Sequence, residues 1–254
     1  MVHLPPLPGS PGYDGGWRDA LVAARRDAAA LVEGGADAIL VENFHDAPFY
    51  KSRVPRMTVA AMTAAAIEVR SAAPGLPVGV NVLRNDGRAA LAVAVAAGCH
   101  FIRVNVLSGA RVTDQGIIQG ISARLLRDRR MLGCAGATAL GYISIWADLD
   151  VKHSAPLAPR PLEEEVADML ERGGADALIV SGAGTGRPTD PGKLARVKAV
   201  AGTTPVLVGS GVTLKALEAL REHADGLIVG TTLKDRGQID IERVRQVAQA
   251  LRRQ

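Results

Sequence analysis

One unit recurs along the chain and limits what it can fold into. "GGADAILVEN" at residues 34–43 returns as "GGADALIVSG" at 173–182, as "HADGLIVGTT" at 223–232, and loosely as "AAGCHFIRVN" at 96–105. Each copy follows an Ala-rich amphipathic segment. A Gly or other small residue closes the helix, an Asp often precedes the strand, and an apolar run follows. Other apolar runs open with proline, "LPVGVNVL" at 76–83 and "TPVLVGSG" at 204–211. In chain order, strands are predicted to start near Val2, Asp37, Pro77, Phe101, Ile143, Asp176, Pro205 and Gly226. Helical patterns follow them at 17–33, 56–73, 86–97, 115–130, 161–172, 191–200, 214–222 and 241–251. Strand and helix alternating eight times, with strands apolar throughout, indicate a parallel sheet covered by helices. At 254 residues the expectation is one α/β domain over 1–254, a single (β/α)8 TIM barrel. Likeness between the third and fourth strands and the seventh and eighth suggests two related half-barrels. An open doubly wound sheet is the competing fold, but no strand-linked GxGxxG near the start supports it.

Composition narrows the function classes. The chain is 48% hydrophobic with only 3% aromatics, so Val, Leu, Ile and Ala fill the core. A net charge of +4 is modest, and the densest basic group, Arg243, Arg245, Arg252 and Arg253, lies on a terminal helix where a solvated face explains it. No nucleic-acid partner is indicated. Cys99 and Cys134 lack any CxxC or Cys/His spacing, which argues against a disulfide scaffold or structural zinc and for a reducing compartment. No run approaches the ~20 apolar residues of a membrane helix. The expectation is a cytoplasmic protein without membrane insertion, with peripheral attachment left to a partner.

In a (β/α)8 barrel the ligand site lies where strands pass into βα loops. The seventh and eighth strands exit into Gly209-Ser210-Gly211 and Gly230-Thr231-Thr232. Glycines admit an anion to backbone N–H groups, and Ser210 and Thr231 add hydroxyl donors. A phosphate site is expected there, on Gly209, Ser210, Gly211, Gly230 and Thr231; plain tight turns are the alternative. Other exits are polar: Glu42 and Asn43, Asn81, Arg103 and Asn105, and the fifth strand's "WADLDVKHS" with Asp148, Asp150, Lys152 and His153. By period-two alternation, Asp148, Asp150 and Lys152 share one face. Such a set can transfer protons, hold a divalent cation such as Mg, or tune the lysine toward imine chemistry, whereas an ordering ion pair is the bland reading. His3 lies near the mouth as a hydrogen-bonding residue, while His45, His100 and His223 lack any ligand pattern.

Two loops have the length of lids, that at 44–55 and the proline-rich "KHSAPLAPRP" at 152–161, which leads into Pro161 at a helix start. "FHDAPFYKSRVP" at 44–55 holds three of the eight aromatics and suits a cover or a subunit contact, hence a candidate homo-oligomer. The glycine-rich loop "SGAGTGRPTDP" at 181–191 offers Ser181, Thr185 and Arg187 to a substrate, with Thr189 or Asp190 capping the next helix before Pro191.

"VHLPPLPGSP", "DAILVENFHDAPF", "VNVLRND", "WADLDVKHS", "VSGAGTG" and "VLVGSGVT" together resemble the BtpA family, over nearly the whole chain. That resemblance implies a phosphate-binding barrel of the ribulose-phosphate-binding type. It also implies His3, Glu42, Asn43, Asn81, Asn105, Asp148, Asp150, Lys152 and His153 around the mouth, and, for some members, a role in photosystem I biogenesis. Relatives usually carry a few residues before this stretch, so an abbreviated first strand is expected. Two functions compete. One is an enzyme on a small phosphorylated metabolite, a sugar phosphate or phosphoribosyl compound, using Glu42, Asn81, Asp148, Asp150 and Lys152. Its chemistry would be isomerase, epimerase or lyase proton transfer, or N-glycosidic cleavage or transfer. His3, Asn43, Arg103, Asn105, His153, Ser181 and Thr185 would contact the substrate. The other is a non-catalytic biogenesis factor that uses the barrel as ligand sensor or interaction surface.

Overall fold

The computed structural model describes residues 1–136, 141–182, 189–213 and 216–252. Eight parallel strands form one curled sheet in the order of the chain. They are β1 (Val2–His3), β2 (Ile39–Glu42), β3 (Val78–Asn81), β4 (Phe101–Val104), β7 (Ser144–Asp148), β9 (Ala177–Val180), β10 (Val206–Val208) and β11 (Gly226–Leu227). Helices α1 (Trp17–Glu33), α2 (Arg56–Ala72), α3 (Gly87–Ala97), α4 (Ser122–Met131), α5 (Leu162–Ala167), α6 (Pro191–Ala201), α7 (Leu217–Arg221) and α8 (Ile241–Arg252) connect them or follow the last. Among the described residues no ladder joins β11 to β1. The two edges nevertheless meet, because the Met1 ammonium donates to the Val229 carbonyl at 2.8 Å. A Cβ built on Gly230 would lie 3.0 Å from the His3 ring.

The recurrent Asp has a physical role. Asp176, at the head of β9, accepts from the Ile145 N–H of β7 at 2.7 Å, and Asp225, at the head of β11, accepts from the Val206 N–H of β10 at 2.7 Å. Each carboxylate therefore satisfies a backbone donor at or next to the start of the neighbouring strand, and Arg129 or Lys198 neutralises it. Helix starts follow the expected chemistry: Asp86 accepts from Ala89 N–H and Asp190 from Gly192 N–H, with Pro191 in the first turn.

One predicted helix is corrected. Residues 115–121 do not begin α4. Instead β5 (Ala110–Thr113) and β6 (Gly116–Gln119) form a hairpin, and β5 also pairs antiparallel with β8 (Ser154–Pro156). The alternation of "ARVTDQGIIQ" and the left-handed Gly116, at φ 89°, make the strand pair, so a helix there would leave a β-branched run in the wrong period. Ile118 of this hairpin packs on Val106 and Val151. A second antiparallel pair, β12 (Lys234–Asp235) and β13 (Gln238–Ile239), follows a 3-10 turn at Thr231–Leu233. Helix α5 runs on as a π-helical turn over Asp168–Arg172. Most of the 214–222 prediction shrinks to α7, with Leu214 and Lys215 outside the described residues.

The outer core lies between sheet and helices and is aliphatic. A separate apolar cluster fills the inside of the curl: Leu40, Phe101, Ile179 and Ile228, with Met1, Trp146 and Leu207 against it. Phe101 and Trp146 stack at 3.7 Å between centroids, and Gly79 makes room, since a Cβ there would meet the Phe101 ring at 2.1 Å. Cys99 and Cys134 are buried free thiols. None of the described helices is long and apolar enough to cross a membrane.

Candidate functional site

Strand side chains repeat every two residues, so the layer above this apolar floor is set by the pleat. Two residues beyond Met1, Leu40, Gly79, Phe101, Trp146, Ile179, Leu207 and Ile228 stand His3, Glu42, Asn81, Arg103, Asp148, Ser181, Gly209 and Gly230. Sequence reasoning had selected all eight. The floor is therefore apolar and the layer on it polar, at the ends of the strands where the loops begin.

Within that layer the charges are strongly organised. Arg103 Nε and Nη2 donate to the two Asp148 oxygens at 2.9 and 2.7 Å, and Asn105 Nδ2 adds a bond to Asp148 at 2.7 Å. Both charged side chains are buried. Burial works against the Arg103 charge, yet Asp148 more than compensates and the guanidinium pKa is raised. Asn81 Nδ2 donates to Glu42 Oε2 at 2.6 Å, and His3 Nε2 lies 4.0 Å from Glu42 Oε1. His3 stacks on Phe44 at 4.3 Å, with His45 edge-on. Burial, with Lys234 next in size, pushes the His3 pKa from 6.5 down to about 2, so the ring is neutral. Lys152 is shifted down by burial and then by Arg103 and Arg84, against the opposing pull of Glu42 and Asp148.

A cavity of about 300 Å³ opens over this layer. It is lined by His3, Glu42, Phe44, Arg103 and Lys152 on one side and by 209–213 and 228–232 on the other. All five expected phosphate-site residues are among the lining. Gly209 is needed for close approach: a Cβ would sit 2.5 Å from both Ile179 Cγ2 and Ser181 Oγ. Gly211 is left-handed at φ 70°. Ser210 is buried and accepts the Gly182 N–H at 3.2 Å.

Three expectations change. Asp150 does not share a face with Asp148 and Lys152, because the strand ends at Asp148 and the pleat stops with it. Asp150 turns to Arg111 of β5, at 2.8 Å, and to Lys193 of α6, and lines a separate cavity of about 870 Å³ with Ser181 and Gly182. Asn43 braces a loop instead of facing the mouth: its Oδ1 accepts from Leu83 N–H at 2.7 Å and its Nδ2 donates to Asp46 at 3.0 Å. Outside both cavity linings, His153 is exposed, with φ 53°. Asn81 and Asn105 hold carboxylates beneath the cavity. Thr185 and Arg187 lie outside the described residues. For a divalent cation, no group of three His, Cys, Asp or Glu side chains gathers among the described residues, and Asp148 and Asp150 are each taken by basic partners.

Sequence reasoning missed Arg84, which is buried and donates through Nη2 to the Lys152 carbonyl. It also missed Lys234, half-buried beside His3, and Arg111, carried by the unforeseen hairpin. The "VNVLRND" stretch held Arg84 in view, but as a loop residue its direction could not follow from the strand period.

The sequence profile of the BtpA family matches residues 1–253. An uncharacterized protein of Thermococcus kodakarensis is 46% identical over 253 residues, 98% of this chain and 92% of that protein. The "Photosystem I biogenesis protein BtpA" of Synechocystis is 43% identical over 240 residues, 94% of this chain and 81% of its own length. Among solved structures, thiamine phosphate pyrophosphorylase from Pyrococcus furiosus superposes with a TM-score of 0.56 at 14% identity, covering 91% of this chain and 88% of that one. Phosphoribosyl anthranilate isomerase from Thermococcus kodakaraensis gives 0.56 at 19%, covering 89% and 93%. At such identities the two structures speak for the fold, a parallel α/β sheet of the TIM-barrel kind. By sequence, the chain belongs to the BtpA family.

Proposed function

We propose that residues 1–254 form one (β/α)8 barrel of the ribulose-phosphate-binding type, and that it is an enzyme acting on a small phosphorylated metabolite, a sugar phosphate or phosphoribosyl compound. The observation that carries this reading is the single cavity that has both glycine loops on one wall and Glu42, Arg103 and Lys152 on the other. The phosphate lies against Gly209–Gly211 and Gly230–Thr231, where small residues and hydroxyls let backbone donors reach it. The far end of the substrate then faces Glu42 and Lys152, the groups able to move a proton. Asp148 serves as a strut for Arg103. Isomerase, epimerase or lyase chemistry fits this pair. N-glycosidic cleavage fits less well, because it draws on two free carboxyl groups and Glu42 is the one carboxylate among the described residues lining the cavity.

The test is a thermal-shift screen against pentose phosphates, phosphoribosyl compounds, nucleotides and inorganic phosphate, with and without magnesium. A ligand at ~100 times its Kd adds roughly 2.7 kcal/mol. One organic phosphate should stabilise well beyond inorganic phosphate, and Thr231→Asp, at an exposed lining position, should abolish the shift. A folded protein that no phosphate stabilises would remove this reading.

The name of the Synechocystis relative supports the second reading, a biogenesis factor. It predicts tolerance at Glu42 and Lys152 and sensitivity on the 44–55 loop, where Tyr50 is 54% exposed.

A further inference from the structure

We infer that Lys152 is a carbonyl-condensing amine, forming a protonated imine with an aldehyde or ketone group of the phosphorylated substrate while Glu42 carries the protons. The inference rests on the proposed phosphate-anchored site and names the substrate class: a phosphorylated carbonyl compound.

The backbone at Lys152 is held from two sides. Arg84 binds its carbonyl, and Val151 is fixed in the apolar cluster with Val106 and Ile118. Its side chain lines the cavity, whereas its neighbour Asp150 is drawn outward to Arg111 and Lys193. No carboxylate lies within ion-pair distance of the Lys152 amine among the described residues, because Arg103 and Asn105 occupy Asp148. Glu42 is equally uncommitted. It is 5% exposed, and its partners are the Asn81 amide and the His3 ring, both neutral. A buried carboxylate without a cation is costly. Here an amine and an unneutralised carboxylate line one cavity without touching each other, and the space between them suits a small molecule. An iminium at Lys152 would supply the positive charge that Glu42 lacks.

Chemistry supports a nucleophile over a spectator ammonium. Burial first, then Arg103 and, less, Arg84, shift the amine toward the uncharged form that attacks carbonyl carbon, against the pull of Glu42 and Asp148. The Lys152 lone pair forms the C–N bond as the C=O π pair moves to oxygen. That oxygen takes the proton the nitrogen gives up, passed through Glu42. The carbinolamine hydroxyl takes a second proton, the one shed when the ammonium became an amine, and leaves as water while nitrogen forms C=N. Net, one carbonyl group and one lysine ammonium give one iminium and one water.

Full-length protein is incubated with dihydroxyacetone phosphate or ribose 5-phosphate and sodium cyanoborohydride, then peptide-mapped by mass spectrometry. A secondary amine should appear on Lys152, be suppressed by excess inorganic phosphate, and be absent in Lys152→Arg. Glu42→Gln should slow trapping by roughly 10²-fold. It should also move the trapping midpoint to lower pH, because the Glu42 charge raises the Lys152 pKa against Arg103 and Arg84. Thermal shifts with the same probes are read in parallel, and circular dichroism confirms that each variant is folded. Stabilisation by a probe without any adduct on Lys152, or adducts on other lysines alone, overturns the imine and leaves the phosphate reading standing. Neither stabilisation nor adduct overturns both.

Discussion

Replacing Arg103 by methionine removes the guanidinium that holds both oxygens of Asp148, at 2.9 and 2.7 Å, with side chains 5% and 0% exposed. Asp148 then keeps one bond, from Asn105 at 2.7 Å, and its other oxygen is left buried without a partner. Removing one partner of such a pair costs about 3–5 kcal/mol, while replacing both by apolar residues of similar volume is often neutral or stabilising. Arg103→Met alone should thus be severe, and Arg103→Met with Asp148→Leu should recover most of the loss. Urea unfolding followed by circular dichroism reads the difference. With a slope of about 2–3 kcal/mol per molar, the single variant should lower the midpoint by about 1–2.5 M. The double variant should return it most of the way. A single variant with an unchanged midpoint would refute the strut, and a double-variant loss equal to the sum of the separate Arg103→Met and Asp148→Leu losses would mean that the two side chains are uncoupled. If the double variant still binds an organic phosphate, the Arg103–Asp148 pair is a strut and not a contact that binding requires.

Gly209→Ala pushes a methyl to 2.5 Å from Ile179 and Ser181 and should cost about 1–3 kcal/mol in a thermal melt; adding Ser181→Gly should restore part of it. His3 contributes a pH dependence of known sign. Its folded pKa of about 2 lies below the ordinary 6.5, so its contribution is complete above pH 6.5 and is lost as pH falls toward 2. At pH 5 the loss reaches about 2 kcal/mol, and His3→Gln should flatten the stability profile by that amount between pH 7 and 5.

The sheet and most of its mouth were legible because a repeated unit and a strict pleat carry them. "GGADALIV" announces both a helix stop and a strand, and in two copies the Asp at its head, Asp176 or Asp225, accepts from an N–H near the start of a neighbouring strand, whereas Asp37 is exposed and pairs with Arg252. Glu42, Arg103 and Asp148 followed from reading the polar residues at strand exits and His3 from its place at the mouth, and each stands two steps beyond an apolar floor residue. The hairpin did not, because "GIIQGISARLL" has enough apolar residues at helical spacing to hide two short strands. Its position depended on Val151 and on pairing with Ser154–Pro156, contacts about 40 residues distant in sequence.

Asp150 shows where alternation loses its authority. The last ladder partners of β7 are Asp148 and Ile179, and past them one backbone bond, Leu149 N–H to the Ile179 carbonyl, continues the strand. Beyond that bond the direction of a side chain is decided by its partners. Arg111 and Lys193 supply two cations on the outer side, so Asp150 goes there, and the chain reverses to bring Lys152 back over the mouth. That reversal separates the two carboxylates that looked like a pair. It leaves Glu42 and Lys152 as the charged groups of the cavity that no opposite charge engages among the described residues. Stable struts surround a pair held apart across one cavity.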